Sequence, residues 1–236
     1  MQWDVMTRKG KIMIVDTWKD PYNAGFSPTT PRRIEVKRGF TVLVGCNGAG
    51  KSTLIANIEA HCKKNNIPCY KYDNLKDGGA NSVRTLMFER NYADGVKALS
   101  SSEGENIRDN ICRICCEITD FIKQGYIYNK TLNIKQLFAE QDEIKKQEEM
   151  LKNCKERVIL FDAVDSGLSV DSIAEMKSEF INILDCEGLR NPEKDIYLII
   201  TANEYELAAH SNCLDVNTGK YISFTDYEDA CSLHNL

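Results

Sequence analysis

The chain alternates between short apolar runs and longer amphipathic stretches, a pattern that predicts an α/β protein. Residues 158–161 and 196–200 are continuous apolar runs, which are typical of parallel strands buried on both faces. From Ile107 to Phe121, apolar residues recur at steps of four, three, four and three. This spacing predicts one helix over about 103–123, because it places the apolar side chains on a single helical face.

The start of the chain has a different pattern. The apolar, partly β-branched run at 12–15 and the alternating apolar and polar residues at 32–37 predict two strands, which would form an antiparallel front section. Further along, a short strand is predicted over 67–72, followed by a loop over 73–82. Residues 132–156 are rich in charge and have acid-to-base pairs four residues apart, which favours a solvated helix.

The composition is that of an ordinary globular protein. Of the 236 residues, 42% are hydrophobic and 28% are charged, so the chain is long enough to bury a sizeable core. It contains no internal repeat, low-complexity tract or linker. We therefore expect a single domain over 1–236, with a helical insertion around 83–156.

Charge and hydropathy restrict the function classes. The formal net charge of −5 argues against broad electrostatic binding of nucleic acid or anionic membrane. The chain also lacks an apolar run near the roughly 20 residues that span a bilayer. The first eleven residues have no apolar signal core. These observations predict a cytoplasmic protein without a membrane partner.

The ten cysteines are interpreted as free thiols rather than as a disulfide framework, since the chain is large and carries no export signal. Cys112, Cys115 and Cys116 have helical spacing and could form part of a metal site. Because no second cysteine pair has matching ligand spacing, buried thiols that act as small hydrophobes are the favoured interpretation.

Residues 45–53 read Gly-Cys-Asn-Gly-Ala-Gly-Lys-Ser-Thr and lie between an apolar run and a helical segment. This is the phosphate-loop pattern, in which glycines allow successive backbone N–H groups to point into one concavity. Lys51 is expected to reach the β- and γ-phosphates, and Ser52 to bind Mg²⁺. The residues predicted to contact a nucleoside triphosphate are Asn47, Gly48, Ala49, Gly50, Lys51, Ser52 and Thr53.

A phosphate loop needs a second Mg²⁺ partner on a neighbouring strand. Asp162 directly follows the apolar run 158–161 and is the obvious candidate. The sequence therefore predicts ATP and Mg²⁺ as cofactors, with Ser52 and Asp162 as the metal residues.

Three motifs carry a family resemblance. Residues 162–169 read Asp-Ala-Val-Asp-Ser-Gly-Leu-Ser, residues 101–105 read Ser-Ser-Glu-Gly-Glu, and the phosphate loop has the form G-x-N-G-x-G-K-S-T. In this order they resemble the Walker B and D-loop stretch, a degenerate signature and the Walker A loop of ABC-type ATPases. Among these, the chain looks most like small stand-alone bacterial and phage members related to the structural-maintenance-of-chromosomes, recombination-repair and overcoming-lysogenization-defect ATPases.

This resemblance implies a P-loop NTPase fold with a mostly parallel central sheet flanked by helices and an antiparallel N-terminal β subdomain. It also implies a head-to-tail homodimer, in which each ATP lies between one phosphate loop and the other subunit's Ser102 and Gly104. ATP would then favour the dimer, which would drive or gate a partner in a DNA-related or defence-related process. That partner is expected to be a protein effector or a nucleic acid.

The chain departs from the family pattern at three places, each of which affects hydrolysis or its sensing. Ala163 occupies the position of the catalytic glutamate, so turnover is expected to be slow unless another acid such as Asp165 substitutes for it. Asn203 stands near the position of the switch histidine. Asp73 or Asn74 lies about where a glutamine is expected. The predicted catalytic residues are Lys51, Asp162, Asp165 and Asn203.

Two alternatives to an ATPase remain. A regulatory ATP-binding module would bind nucleotide without significant turnover. A P-loop kinase for a small metabolite is less favoured, and it would recruit lid arginines from among Arg84, Arg90, Arg108 and Arg113.

Two smaller features leave further alternatives. The basic residues Arg32, Arg33, Lys37 and Arg38 suggest a solvated strand edge, contacts to the nucleotide, or a local nucleic-acid patch. The aromatic residue that stacks on adenine could be Trp18, Tyr22 or Phe26.

Overall fold

The computed structural model describes residues 11–16, 33–73, 103–127, 141–166 and 168–224. In chain order, the elements are β1 (Ile12–Asp16), β2 (Arg33–Lys37), β3 (Gly39–Val44), α1 (Lys51–Lys64), β4 (Cys69–Asp73), α2 (Glu103–Gln124), α3 (Gln141–Asn153), β5 (Glu156–Asp162), α4 (Val170–Arg190), β6 (Asp195–Thr201), α5 (Tyr205–Ala208), β7 (Cys213–Asp215) and β8 (Tyr221–Ile222).

The main sheet has six strands in the order β4-β5-β6-β3-β7-β8. Neighbouring strands from β4 to β7 are parallel, and β8 pairs antiparallel with β7. A separate two-stranded antiparallel sheet pairs β1 with β2. The prediction of a mostly parallel sheet with an antiparallel front section is therefore confirmed.

Two apolar layers cover the two faces of the main sheet. On one face, α1 and the β1–β2 sheet pack over Leu43, Leu160 and Ile199. On the other face, α2 and α4 pack over residues that include Phe161 and Ile200. Alternate residues of β5 and β6 thus enter different layers, which explains why both strands are apolar at successive positions.

Arg157 is the largest fully buried side chain of the described residues, and it joins three elements. Its guanidinium donates to the carbonyl oxygens of Ile122 at 3.0 Å, Lys152 at 3.0 Å and Cys154 at 2.7 Å. It also donates to the carbonyl oxygen of Glu156 at 2.9 Å. A residue of β5 therefore binds carbonyl groups at the C-terminal ends of α2 and α3, where helices leave carbonyls without intrahelical partners.

Several sequence predictions change at element ends. Asp73 is the last residue of β4 rather than the first residue of a loop. The charge-rich helix ends at Asn153, and Glu156 begins β5, while residues 132–140 lie outside the described part. The described portions of the insertion predicted around 83–156 consist mainly of α2 and α3, and the single-domain assignment stays a prediction.

The thiols on α2 also differ from expectation. Cys112 and Cys116 are exposed, and only Cys115 is partly buried, so the interpretation as buried thiols is wrong for two of the three. Burial raises the pKa of the Cys115 thiol to about 12. Within the described ranges, no group of three or more His, Cys, Asp or Glu side chains is arranged to hold a metal ion.

Among the helices that the structure describes, none is both long enough and apolar enough to cross a bilayer.

Candidate functional site at the phosphate loop

The loop between β3 and α1 has the backbone shape that its glycines predict. Gly48 and Gly50 have φ angles of 85° and 98°, in the left-handed region that L side chains rarely adopt. The Ala49 N–H donates to the Cys46 carbonyl at 3.1 Å, which closes a turn, and the Leu54 N–H donates to the Gly50 carbonyl at 2.8 Å, which begins α1. Asn47 and Gly48 are exposed, so the turn is open to solvent.

Lys51 folds back onto this loop. Its side chain is largely buried, and its Nζ donates to the Gly45 carbonyl at 2.9 Å and to the Cys46 carbonyl at 3.5 Å. Burial lowers the pKa of Lys51, while the nearby carboxylates of Asp165 and Asp162 act in the opposite direction. The ammonium group thus lies at the loop, where phosphate oxygens could replace carbonyls as its acceptors.

Ser52 and Asp162 meet beside the loop. The Ser52 Oγ donates to Asp162 Oδ1 at 3.0 Å. Thr201, at the end of β6, donates to the same oxygen at 3.1 Å. The first turn of α1 and the carboxyl ends of β5 and β6 therefore converge on one carboxylate, which is 9% exposed. Hydroxyl and carboxylate oxygens are the ligands that Mg²⁺ prefers, so this pair fits the predicted metal residues.

Ala163, directly after Asp162, is held in an unusual conformation. Its φ angle is 54°, in the left-handed region, and its N–H donates to Thr201 Oγ1 at 2.8 Å. Such a conformation costs a non-glycine residue about 1–3 kcal/mol and persists only where surrounding contacts hold it. The position to which the motif resemblance assigns a catalytic glutamate thus has a methyl group, and its backbone N–H is hydrogen-bonded to Thr201.

Asp165 has both carboxylate oxygens engaged. The backbone N–H groups of Asn203 and Glu204 donate to its Oδ2 at 2.6 Å and 2.9 Å, and the Asn203 side-chain amide donates to its Oδ1 at 3.0 Å. Asp165 is 1% exposed. This geometry gives Asp165 a positioning task, because it joins the turn after β5 to the segment after β6. The catalytic roles of Asp165 and Asn203 stay predictions.

Asp165→Asn is expected to lower the free energy of unfolding by about 2–3 kcal/mol. The new amide would keep one acceptor oxygen but place an NH₂ group where the other carboxylate oxygen now accepts from an N–H group. A buried polar group left unsatisfied costs about 1–3 kcal/mol. Urea unfolding of the variant beside Asp185→Asn, which makes the same charge change at an exposed position of α4, measures this effect. Equal unfolding midpoints for the two variants would contradict the positioning task.

Of the remaining residues predicted to contact the nucleotide, some lie in the described part of the chain and others do not. Ala49, Gly50 and Thr53 are partly exposed around the loop. Gly104 lies in the first turn of α2. Ser102 lies outside the described residues, as do Asn74, the candidate adenine-stacking aromatics Trp18, Tyr22 and Phe26, and the candidate lid arginines Arg84 and Arg90.

Thr201 was not singled out from the sequence, and Asp73 was named there only as a residue near the position expected for a glutamine. Thr201 forms hydrogen bonds with both Asp162 and the Ala163 backbone. The sequence feature that could have identified it is a polar residue at the end of an otherwise apolar strand. Asp73 is the register partner of Asp162 across β4 and β5. That neighbour relation follows from strand pairing, which the sequence alone does not give.

The described basic residues before the loop are engaged elsewhere. Arg33 pairs with Asp16 at 3.2 Å, and the Lys37 ammonium lies 4.1 Å from the centre of the Tyr221 ring. Arg38 donates to the Lys194 carbonyl at 2.7 Å and pairs with Asp195 at 3.4 Å. Asp195 begins β6, so Arg38 lies at the amino ends of the parallel strands. The suggestion that Arg38 contacts the nucleotide is therefore wrong, because the phosphate loop lies at the opposite, carboxyl ends.

The lid role considered for Arg113 also has a competing contact. Its guanidinium pairs with Glu117 one turn along α2 at 3.2 Å.

No protein-family model matches the chain, and no curated protein matches it. Among solved structures, the chain is similar to CbiO1 from Clostridium perfringens, part of the ABC transporter complex CbiONQ, with 15% identity and a TM-score of 0.45; the match covers 89% of this chain and 87% of that chain. It is also similar to MJ1267, an ATP-binding cassette of an ABC transporter in its ADP conformation, with 13% identity and a TM-score of 0.40; that match covers 96% and 95% of the two chains.

Likenesses at this level do not bear on the substrate, partner or activity of this chain. The narrower resemblance to chromosome-maintenance, recombination-repair and lysogenization-defect ATPases stays a prediction.

Proposed function

We propose that this chain is an ATP-binding, ABC-type ATPase head that binds Mg-ATP at residues 45–53 and hydrolyses it slowly. The observation that supports this most directly is the 3.0 Å contact between Ser52 and Asp162 beside the open phosphate loop. It brings together, from distant parts of the sequence, the hydroxyl and the carboxylate that phosphate-loop enzymes use for their metal. Lys51 lies at the same loop and supplies the positive charge.

Ser52 and Asp162 are the residues that would hold Mg²⁺. A bound Mg²⁺ supplies charge neutralisation at the phosphate oxygens, and it usually needs only one or two carboxylates from the protein. The Thr201 hydroxyl fixes the orientation of Asp162 through its 3.1 Å hydrogen bond. The chain's own contribution to catalysis is therefore positioning and charge, as in other phosphoryl-transfer sites.

Slow turnover is supported by what surrounds the metal residues. Ala163 offers no group that can orient or deprotonate water, and the Asp165 carboxylate is occupied by the Asn203–Glu204 backbone. The same observations favour the second candidate, a regulatory ATP-binding module without significant turnover. Phosphate release distinguishes the two functions.

We expect two copies to pair head to tail around ATP, with Ser102 and Gly104 contacting the partner's nucleotide; Gly104 lies in the first turn of α2. A helix N-terminus suits the γ-phosphate, because its free N–H groups and positive dipole end favour an anion. The pairing would give ATP a differential affinity for the dimer and so drive or gate a protein effector or nucleic acid. The DNA-related or defence-related setting follows from the motif resemblance alone.

The first experiment measures Mg-ATP binding by calorimetry and phosphate release at saturating Mg-ATP. Lys51→Ala is expected to weaken ATP binding at least tenfold and to abolish release, since it removes the charge at the loop. Lys64→Ala is the matched control, because it removes an exposed lysine at the other end of α1. If wild-type protein binds no ATP, the proposal is wrong. If it binds ATP but releases phosphate only at the rate of Lys51→Ala, the regulatory module is correct.

A second experiment tests the dimer by sedimentation with and without Mg-ATP. Wild-type protein is expected to dimerise only with ATP, and Ser102→Arg to remain monomeric while still binding ATP. A monomer under both conditions would remove the head-to-tail arrangement and leave the nucleotide site intact.

A further inference from the structure

Two cysteine side chains lie on the solvent face of α2, and the proposed function does not use them. Cys112 and Cys116 are exposed, whereas Cys115 is partly buried. Residues four apart on an α-helix lie one above the other on the same face. The two exposed thiols are therefore neighbours, one helical turn apart.

The opposite face of α2 fixes this orientation. The side chains on that face are buried in the apolar layer that α2 and α4 form over the main sheet: Ile114, Ile118, Phe121 and Ile122. Cys115 packs against the same layer, and burial raises the pKa of its thiol to about 12. Because the thiolate is the reactive form of cysteine, Cys115 is a poor nucleophile near neutral pH. Its position and its chemistry both set it apart from the exposed pair.

The spacing of the pair is within reach of a disulfide. Cα atoms four residues apart in an α-helix are separated by about 6 Å, and disulfides form at Cα separations of about 4.4–6.8 Å. The β carbons are about 5–6 Å apart, whereas a disulfide needs about 3.5–4.5 Å. Closing the bond between Cys112 and Cys116 therefore requires a local bend of α2 that brings the β carbons about 1 Å closer.

We propose that Cys112 and Cys116 form a modification site that hydrogen peroxide oxidises to a disulfide within α2. In the first step, the Cys112 thiolate attacks one peroxide oxygen, the O–O bond breaks and hydroxide leaves, so that Cys112 becomes a sulfenic acid. In the second step, the Cys116 thiolate attacks the Cys112 sulfur, the S–S bond forms, and the S–O bond breaks with loss of hydroxide. The two hydroxide ions take up the two protons that the thiols released. The thiols are thereby oxidised to a disulfide, and the peroxide is reduced to two water molecules.

The bend would act on the start of α2. Phe121 and Ile122 are fully buried, and the Arg157 guanidinium donates to the Ile122 carbonyl at 3.0 Å, so the C-terminal half of the helix is held in place. The first turn of α2 contains Gly104, which the proposed dimer places at the partner's nucleotide. Oxidation is therefore expected to weaken ATP-dependent dimerisation by about tenfold, within the usual range of coupling between two sites. This consequence rests on the proposed function, whereas the disulfide does not.

Peptide mapping after peroxide treatment and alkylation of the remaining thiols tests the site. Trypsin cleaves after lysine and arginine, so Cys112 lies in peptide 109–113 and Cys116 in peptide 114–123. We expect peroxide to join these two peptides and dithiothreitol to separate them again.

Serine variants assign the bond, because Cys115 lies in the same peptide as Cys116. Cys112→Ser and Cys116→Ser are expected to lose the joined peptides, and Cys115→Ser to keep them at the wild-type yield. Cys186→Ser is the matched control, since it removes an exposed cysteine on α4, and it is also expected to keep them. Separate peptides in the oxidised wild type, or joined peptides that persist in Cys116→Ser, would overturn the inference.

Sedimentation with Mg-ATP tests the consequence for the dimer. Oxidised wild-type protein is expected to need about tenfold more protein to dimerise than reduced protein. The double variant Cys112→Ser with Cys116→Ser is expected to dimerise equally before and after peroxide treatment. It keeps Cys46 in the phosphate loop, so it controls for oxidation there.

The two measurements separate the possible failures. Equal dimerisation of oxidised and reduced wild-type protein would overturn the effect on the dimer and leave the disulfide site standing. Wild-type protein that stays monomeric in both forms would overturn the proposed dimer itself, while the peptide map still decides the disulfide.

Discussion

Arg157→Met is expected to lower the free energy of unfolding by about 3 kcal/mol, even though it replaces a buried cation by an apolar side chain of similar length. Arg157 is fully buried, and the contacts that hold its guanidinium are four backbone carbonyls. Burial lowers the pKa of this guanidinium, which reflects the cost of keeping its charge away from water. Methionine would remove that cost, so the sign of the effect depends on the carbonyls that it leaves behind.

Those carbonyls decide the outcome. The Lys194 ammonium also donates to the carbonyls of Lys152 at 2.7 Å and Cys154 at 3.0 Å, so these two would keep a partner. The Ile122 carbonyl, in the last turn of α2, would lose the guanidinium at 3.0 Å. Each buried polar group left unsatisfied costs about 1–3 kcal/mol, and the packing between α2, α3 and β5 would loosen as well.

Lys194→Met is the matched control for this prediction. It removes the second cation from the Lys152 and Cys154 carbonyls but leaves the Arg157 guanidinium in place. We therefore expect the free energy of unfolding to fall by about 1 kcal/mol. Urea unfolding followed by circular dichroism gives the two midpoints. An Arg157→Met protein that is as stable as wild type would show that desolvation of the cation outweighs its hydrogen bonds.

Gly125→Ala tests the same contact between the end of α2, the end of α3 and Arg157. Gly125 has a φ angle of 81°, and a β carbon there would lie 2.5 Å from the Leu151 carbonyl oxygen and 3.1 Å from the Arg157 Cζ. The backbone conformation and the contact both oppose any side chain. We therefore expect a loss of at least 2 kcal/mol in the same unfolding assay.

Local sequence was sufficient to predict the elements that form the proposed nucleotide site. The glycine spacing of residues 45–50 specifies the loop, and the apolar runs specify β5 and β6 with Asp162 at a strand end. Both signals are short-range, because a backbone conformation or an unbroken apolar run is encoded by adjacent residues.

The contacts between distant residues could not be predicted in this way. In the sequence, Arg157 is a charged residue before an apolar run, which predicts exposure. It is buried because its guanidinium binds carbonyls at the ends of α2 and α3. From the sequence, Asp165 is an additional acid close to Asp162, the predicted metal residue. In the structure, its carboxylate instead accepts a hydrogen bond from the backbone N–H of Asn203, just after β6. Asp73 reads as the start of a loop, and only the pairing of β4 with β5 brings it beside Asp162. Each correction comes from strand order or helix packing, which tertiary structure determines.

Ala163→Glu is expected to raise phosphate release by about 100-fold, at the lower end of what a positioned general base contributes. The backbone at this position already has a φ angle of 54° with a β carbon in place, so glutamate adds little strain beyond what alanine has. Ala163 is partly exposed, which leaves room for a longer side chain toward solvent. The Ala163 N–H would keep its hydrogen bond to Thr201, which holds the new carboxylate next to Asp162.

Ala163→Gln is the control that assigns the gain to basicity rather than to size. The glutamine has the same length and cannot accept a proton, so release is expected to stay at the wild-type rate while ATP affinity is unchanged in both variants. Equal gains in the two variants would mean that filling the space beside Asp162 matters more than a base. A lack of gain in Ala163→Glu, with ATP still bound, would mean that the left-handed backbone points this position away from the γ-phosphate. In that case the missing glutamate would reflect the shape of the turn after β5 and not only its sequence.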